Sequence, residues 1–290
     1  MRTETIFCMT AALLIASRVS AETTVDASHP FAYAANAGWL SVGGDTTHGV
    51  QLGVTYCSGY MWSATCGWIG FGNGPANGWN YTNGSTADWG VNHDGQGRLT
   101  GYAYGANIGW VTFEQTYGKP CVDLLTGIMS GAAWSPNIGW ISFSNTVAHV
   151  RMARLETGPD TDADGISDAW EYRYAGNLTT LHGGTADADA DGATDADEFL
   201  ADTHPKDNGA LLRVTDFSRS GTSDRVEWKS QTTRLYRLQQ TESLGATANW
   251  TDCGAGLMSG DATGLMSRQI EAPAVSKRFY RIKALLPFSE

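Results

Sequence analysis

Residues 101–113 read GYAYGANIGWVTF and residues 131–143 read GAAWSPNIGWISF, so the chain contains an internal repeat. Two weaker copies are FAYAANAGWLSV at 31–42 and GYMWSATCGWIGF at 59–71. In each copy an aromatic residue stands six positions before a tryptophan, and that tryptophan follows a glycine. The stretch that starts at this tryptophan alternates in polarity, as expected of a strand with at least one buried face.

The residues between the two halves of each copy predict a tight turn. Asn107 and Asn137 are each followed two positions later by glycine, and both residue types tolerate the positive φ that tight turns require. Each copy is therefore predicted to be a β-hairpin, with further strands upstream at 88–91 and 121–124. Because one hairpin cannot bury its face alone, we expect the four hairpins to share a core. A sandwich, a barrel and a stacked meander all remain open.

The repeat region holds eight of the 11 tryptophans of the chain. Trp79 and Trp89 lie outside the repeated positions, among Gly, Asn and Thr, and they are the better candidates for a sugar-binding surface. A tryptophan at a fixed position in every copy is more typical of a core. We therefore expect the repeated tryptophans to be buried: Trp39, Trp68, Trp110 and Trp140.

The net charge of −11 is concentrated in one region. Residues 156–207 contain fourteen acidic and two basic residues, which gives 2 − 14 = −12, so the rest of the chain is close to neutral. Such a charge distribution has no electrostatic footprint for nucleic acid. Acidity that is confined to one region indicates cation binding instead.

Two segments of this acidic region match the template D-x-D-x-D-G-x5-E. They are DTDADGISDAWE at 160–171 and DADADGATDADE at 187–198. Calcium takes six to eight oxygen ligands, and alternate residues of a curled loop supply them around a sharp turn at glycine. The sequence predicts two calcium ions. The first loop would bind through Asp160, Asp162, Asp164, the backbone carbonyl of Ile166, Asp168 and Glu171. The second would bind through Asp187, Asp189, Asp191, the backbone carbonyl of Ala193, Asp195 and Glu198.

The acidic region resembles the thrombospondin type 3-like calcium repeats of secreted bacterial proteins. The resemblance rests on DTDADGISDAWEYRYAGNL at 160–178 and DADADGATDADEFLADTHP at 187–205. It implies half of an EF-hand, in which a calcium loop is followed by one short helix, here at 167–174 and 194–201. Such repeats often carry glycine at the fourth loop position, where this chain has alanine. The flanking G-W-I-x-F repeats and the C-terminal strands are similar to modules beside such calcium repeats in other exported bacterial proteins.

The C-terminal region returns to strand character. Residues 211–214, 225–228, 235–239 and 279–283 alternate between apolar and polar, and Gly and Ser clusters separate them. Several short strands with turns predict a small β-sandwich of fibronectin type III or immunoglobulin-like kind. We therefore expect a mainly β, multidomain chain. Its parts are a β repeat domain at 22–150, a calcium-binding connector with two short helices at 156–207, and the β-sandwich at 208–290.

The N-terminus predicts a secretory signal at residues 1–21. Arg2 supplies the positive charge, residues 6–16 are apolar, and Val19-Ser20-Ala21 offers small residues for cleavage after Ala21. Eleven apolar residues are too few for a bilayer, which needs about 20. We expect a secreted or bacterial cell-surface protein without a transmembrane segment after cleavage.

Four cysteines remain after the predicted cleavage, at 57, 66, 121 and 253. In an exported protein an even number of cysteines favours disulfides. The first pairing that we predict is Cys57 with Cys66, which leaves Cys253 as a candidate free thiol. Four cysteines allow three pairings, and the spacing by itself does not choose among them.

Two functional interpretations follow from these patterns. The leading one is a calcium-binding secreted or cell-surface structural or interaction protein of adhesion type, with an extracellular protein or polysaccharide as its partner. The alternative is a carbohydrate-binding module protein that uses exposed tryptophans of the N-terminal domain. The chain has no G-x-S-x-G, H-E-x-x-H or phosphate-loop motif. We therefore expect no enzyme activity.

Overall fold

The computed structural model describes residues 23–45, 47–245, 248–271 and 277–289, and the predicted signal peptide lies outside the described residues. Within these ranges the chain is mainly β, with twenty strands and two short helices, which confirms the predicted fold class. Neither helix in the described ranges has the length and hydropathy needed to cross a bilayer.

Fourteen strands precede the acidic region, and four pairs of them are the four copies of the repeat. Each predicted hairpin is present, with its turn at the residues expected from the sequence. The strands are β1 Val25–Ala34, β2 Gly38–Ser41, β3 Gln51–Leu52, β4 Cys57–Ser58, β5 Tyr60–Ser63, β6 Gly67–Gly70, β7 Val91–His93, β8 Leu99–Gly105, β9 Gly109–Thr112, β10 Cys121–Val122, β11 Met129–Ser130, β12 Ala132–Ser135, β13 Gly139–Ser142 and β14 Val150–Met152.

The four hairpins close into a ring of eight antiparallel strands. The order is β1-β2-β5-β6-β8-β9-β12-β13, and β13 pairs back to β1. This ring is a barrel, one of the three arrangements that the sequence left open. An eight-stranded ring has an interior just wide enough to be filled by side chains. The interior residues are fully buried and small to medium in size: Ala32, Leu40, Met61, Ile69, Ala103, Val111, Ala133 and Ile141.

The prediction that the repeated tryptophans are buried is wrong. Trp39, Trp68, Trp110 and Trp140 are 46%, 45%, 41% and 43% exposed and point outward from the barrel. Strand side chains alternate between faces, so the aliphatic residue after each tryptophan faces inward. The narrow ring admits alanine, valine, leucine and isoleucine but has no room for several indole rings.

One end of the barrel is filled by the turn residues of the four hairpins. Ala37, Cys66, Ile108 and Ile138 occupy the same position in successive turns, and all four are buried. Asparagine side chains join neighbouring turns. The Asn137 Nδ2 donates to the carbonyl oxygen of Ile108 at 2.8 Å, and the Asn107 Nδ2 donates to that of Cys66 at 3.0 Å.

The predicted Cys57–Cys66 disulfide is wrong, because both residues are buried free thiols. Cys66 belongs to the apolar end of the barrel, whereas Cys57 pairs with Leu52 on the β3–β4 hairpin. Burial raises the pKa of the Cys57 thiol to about 12. Cys121 and Cys253 are also free thiols in the structure.

The strands predicted upstream of the third and fourth hairpins are only partly present. β7 begins at Val91 rather than at residue 88, because the Asp88 carboxylate accepts hydrogen bonds from the N–H and Oγ1 of Thr82 and closes a turn there. β10 ends at Val122, and the Asp123 carboxylate caps the turn that follows by accepting from the N–H of Leu125 at 2.8 Å.

Six strands after the acidic region form two three-stranded sheets, β15-β16-β19 and β18-β17-β20, that make a small β-sandwich. Val226, Trp228, Tyr236 and Leu238 form the centre of the shared core. The predicted strand at 211–214 is wrong except for its last residue, since the preceding residues pack as an irregular segment. The strands are β15 Val214–Ser220, β16 Ser223–Lys229, β17 Leu235–Thr241, β18 Thr251–Ser259, β19 Leu265–Glu271 and β20 Phe279–Leu285.

Candidate metal centre

Each predicted calcium loop runs directly into a short helix. Helix α1 is Asp168–Tyr174 and helix α2 is Asp195–Ala201, so the two predicted helices are confirmed. The residues expected to begin them, Ser167 and Thr194, are the N-cap residues. The Thr194 hydroxyl accepts from the Asp197 N–H at 3.1 Å, which satisfies one of the free donors of the first turn.

The first residue of each loop holds the backbone in a tight curl. Asp160 accepts from the N–H groups of Asp164 at 3.2 Å and Gly165 at 3.0 Å. In the second loop, Asp187 accepts from the Gly192 N–H at 3.0 Å. The sixth-position glycines have φ values of 95° and 97°, which L side chains rarely adopt. The curl therefore depends on the glycines that the template requires.

The twelfth position of each loop carries a buried carboxylate that the protein does not satisfy. Both oxygens of Glu171 lack a hydrogen-bond partner among the described residues, and so does Oε2 of Glu198. Their exposed fractions are 0% and 1%. Desolvation and then the nearby aspartates raise the pKa of each of these carboxyls to about 7. A buried carboxylate without a partner is costly, so these oxygens fit the ligand oxygens that a cation requires.

The third and fifth positions add further free oxygens. Oδ2 of Asp189 and Oδ2 of Asp191 are buried and lack a partner among the described residues. With Asp187 they place three ligand atoms within 4.8 Å of one another. In the first loop the corresponding group is Asp162, Asp164 and His182. His182 was missed in the sequence because it lies between the two motifs, outside either template.

The ninth-position carboxylates mainly organise the loops. Asp168 accepts from the Thr161 N–H at 2.7 Å. Asp195 accepts from the N–H groups of Ala188 at 2.9 Å and His182 at 3.0 Å. Because both ninth-position carboxylates already accept hydrogen bonds from the backbone, they would be weaker ligands of an ion than the carboxylates without a partner.

The backbone of the seventh-position residue in each loop is hydrogen-bonded to the fifth-position carboxylate. The N–H groups of Ile166 and Ala193 donate to the Oδ1 atoms of Asp164 and Asp191, at 2.9 and 2.8 Å. The Ile166 side chain is fully buried. Its burial fixes the backbone at the position where the template expects a carbonyl ligand.

The two loops pack as one unit. Ile166, Trp170, Leu181 and Phe199 form a small apolar core that combines residues of the first loop, both helices and the segment between the loops. The Gly183 N–H donates to Oδ2 of Asp164, a predicted ligand of the first loop, at 2.7 Å. The segment between the loops is therefore attached to the first loop.

This unit is hydrogen-bonded to the β structures on both sides. The Glu156 N–H donates to Leu52 O at 2.9 Å, and Pro159 O accepts from the Asp168 N–H at 2.9 Å, so the first loop begins beside the β3–β4 hairpin. On the other side, Arg234 of the β-sandwich is buried. Its guanidinium donates to Phe199 O at 2.9 Å and Leu200 O at 2.8 Å, near the end of α2.

A second feature of the molecule is an aromatic belt on the outside of the barrel. In each hairpin two aromatic residues lie directly opposite each other across the strand pair. Trp89 joins the belt, since its ring lies 5.3 Å from that of Trp110. Trp79 instead lies beside the Arg173 guanidinium, at 5.3 Å. The aromatic belt consists of Tyr33, Trp39, Trp62, Trp68, Trp89, Tyr104, Trp110, Trp134 and Trp140.

A scan against family models and searches of the curated proteins and of the solved structures found no match for this chain.

Proposed function

We propose that the protein is a calcium-binding structural or interaction protein, secreted or held at the cell surface, in which two calcium ions fix the connector between two β domains. The observation that carries the proposal is the pair of buried carboxylates, Glu171 and Glu198, with oxygens that no described group satisfies. A bound cation would compensate the negative charge of these two carboxylates. Without a cation, the nearby aspartates disfavour that charge by repulsion.

Calcium fits these loops better than magnesium. Calcium accepts six to eight oxygens in flexible geometry, whereas magnesium demands a near-octahedral arrangement and keeps its waters. Each loop offers several carboxylates and a curled backbone rather than one or two carboxylates. Extracellular modules of this kind bind calcium at about 10⁻⁴–10⁻³ M, a range in which external calcium would keep the sites loaded.

The hydrogen bonds on either side of the loops give the ions a mechanical role. Glu156 ties the start of the first loop to the barrel, and Arg234 ties the end of the second helix to the sandwich. Calcium that holds the loops in one conformation would therefore also restrict the conformation of the segment that joins the two β domains. Such a connector would present both domains to an extracellular protein or polysaccharide in a fixed arrangement.

Calorimetric titration with calcium tests this proposal on the chain from residue 22 onward. We expect two sites, with Asp160→Ala removing one and Asp187→Ala removing the other, and a higher melting temperature when calcium is present. At a calcium concentration of 100 times the dissociation constant, one site adds about 2.7 kcal/mol of stability. Asp197→Asn is the matched control, because Asp197 is exposed in the second loop but is not a template ligand. No heat and no shift in melting temperature would refute the proposal.

The aromatic belt favours a second candidate function, the binding of a neutral polysaccharide. Its rings are partly exposed, and the charged residues of the chain are concentrated elsewhere. Flat aromatic faces stack well against sugar rings. The test is depletion of the protein from solution by cellulose, chitin and xylan. Trp110→Ala should weaken retention, whereas loss of the exposed Tyr117, outside the belt, should not; no retention on any of the three would oppose this function.

A further inference from the structure

The group of side chains at the first loop includes a histidine from outside the loop, whereas the group at the second loop does not. Ligand atoms of Asp162, Asp164 and His182 lie within 4.8 Å of one another. In the second loop the corresponding group consists of three carboxylates. The two loops share one template, so the imidazole is what distinguishes their ligand chemistry.

The His182 side chain is exposed, but its backbone is held in place by hydrogen bonds. Its N–H donates to Oδ2 of Asp195 at 3.0 Å, and the preceding residue, Leu181, is fully buried in the core of the connector. The following N–H, of Gly183, donates to Oδ2 of Asp164 at 2.7 Å. A side chain at 183 is excluded, because a Cβ there would lie 1.8 Å from the Asp164 carbonyl oxygen.

A buried carboxylate in the same loop independently indicates a ligand. Glu171 is 0% exposed, and neither of its oxygens has a partner among the described residues. Glu171 is the twelfth residue of the loop to which Asp162 and Asp164 belong. The first loop therefore offers carboxylate oxygens together with one imidazole nitrogen.

We infer that the first loop is a mixed oxygen and nitrogen site that binds a first-row transition cation such as Zn²⁺ more tightly than calcium, while the second loop, whose group consists of carboxylates, prefers calcium. Imidazole suits zinc, copper, iron and nickel, whereas carboxylates, carbonyls and water suit calcium, magnesium and manganese. This inference rests on the proposed function only in that both loops hold cations. It goes beyond that function in that the two loops differ in the ion that they prefer, although both bind calcium when no transition cation is present.

The test is titration of the untagged chain from residue 22 onward with Zn²⁺ and, separately, with Ca²⁺. In an Asp187→Ala background, which disables the second loop, we expect one zinc site. His182→Gln should lower the zinc affinity by about 10- to 100-fold or more, since loss of an outer-shell partner of a metal already costs that much. His182→Asp should strengthen calcium binding to that loop while weakening zinc binding. His204→Gln, an exposed histidine of the same region, is the control and should leave zinc affinity unchanged.

The possible results separate this inference from the calcium proposal. If zinc affinity is unchanged in both His182→Gln and His182→Asp, or if the intact loop binds calcium more tightly than zinc, the inference is overturned, and calcium at the second loop still stands. If the chain binds neither ion at either loop, both are refuted. Melting curves of the metal-free variants show whether they fold, and the His182 NMR signals, which should shift as zinc is added, report on the ligand directly.

Discussion

Two alanines in the acidic loops adopt backbone angles that normally belong to glycine. Ala163 and Ala190, at the fourth position of each loop, have φ values of 60° and 61°. In this left-handed region the Cβ of an L residue lies too close to the following carbonyl oxygen, at a cost of about 1–2 kcal/mol. Glycine has no Cβ, so it would avoid this cost at the fourth position.

Ala163→Gly should relieve this strain. Glycine loses more conformational entropy on folding, by about 0.5–1 kcal/mol, so we expect a net gain of about 0.5 kcal/mol in the free energy of unfolding. Urea unfolding with metal present measures it. Ala188→Gly is the matched control, because residue 188 lacks a positive φ and should only lose stability. A loss of stability at 163 of the size seen at 188 would contradict the strain argument.

His93 provides a pH-dependent contribution to the stability of the barrel. It is 3% exposed, and its Nε2 accepts from the Gly97 N–H at 3.0 Å while its Nδ1 lies 2.8 Å from Gly53 O. This arrangement requires a neutral ring whose Nδ1–H donates to the carbonyl. Burial lowers the pKa of His93 below its usual 6.5.

Stability should therefore fall as the pH drops below about 6.5. Below this pH the histidine takes up a proton in the unfolded chain but not in the folded one. The contribution of His93 to the free energy of unfolding is therefore fully present above pH 6.5 and is lost as the pH falls to its lowered pKa. The slope from this group is at most about 1.4 kcal/mol per pH unit. Urea unfolding between pH 7.5 and 5 in EDTA should give a shallower slope for His93→Gln. Equal slopes in the two proteins would show that His93 does not contribute.

At the scale of the element, each hairpin combines a small inward face with an aromatic outward pair. Tyr104 and Trp110, for example, lie directly opposite each other with ring centroids 4.9 Å apart in an edge-to-face arrangement. Cross-strand aromatic pairs contribute about 0.2–1 kcal/mol relative to alanine pairs. The belt therefore stabilises each hairpin from outside, whatever ligand it binds.

Trp68→Ala should reduce the free energy of unfolding by about 1 kcal/mol, since it removes the cross-strand pair with Trp62 and the edge contact with Tyr60. Thermal or urea unfolding measures the loss. Tyr117→Ala is the control: that side chain is 91% exposed, and surface changes of this kind stay within about 0.5 kcal/mol. Equal effects of the two substitutions would mean that the belt carries no stability.

At the scale of the whole molecule, few residues join the two β structures through the acidic connector. Its own core is small, with Ile166, Trp170, Leu181 and Phe199 as its buried members. The surrounding carboxylates repel one another unless a cation is bound. Of the three apolar cores among the described residues, that of the connector is the smallest.

Removal of metal ions should make this connector the first site of proteolysis. In EDTA we expect trypsin-type cleavage at Arg173 or Lys206, with the barrel and the sandwich surviving as fragments, and strong protection when calcium is added. Glu171→Gln with Glu198→Gln should be cleaved even with calcium, while Asp197→Asn should behave as the unmodified chain. Cleavage at the same rate and the same bonds with and without calcium would contradict a connector that depends on metal.

Local patterns in the sequence determined much of this protein. The alternation within each repeat was enough to predict the four hairpins, and the spacing of carboxylates and glycine was enough to predict the two acidic loops, because both patterns act over a few neighbouring residues. The two short helices were implied by the resemblance to calcium repeats and not by the spacing. Only the tertiary structure decided which face of each hairpin is buried, since closure of the ring fixes the width of its interior. It also decided that Cys57 and Cys66 occupy separate parts of the core, and that His182 joins the first loop, because the packing of Leu181 brings that segment to a motif it does not belong to.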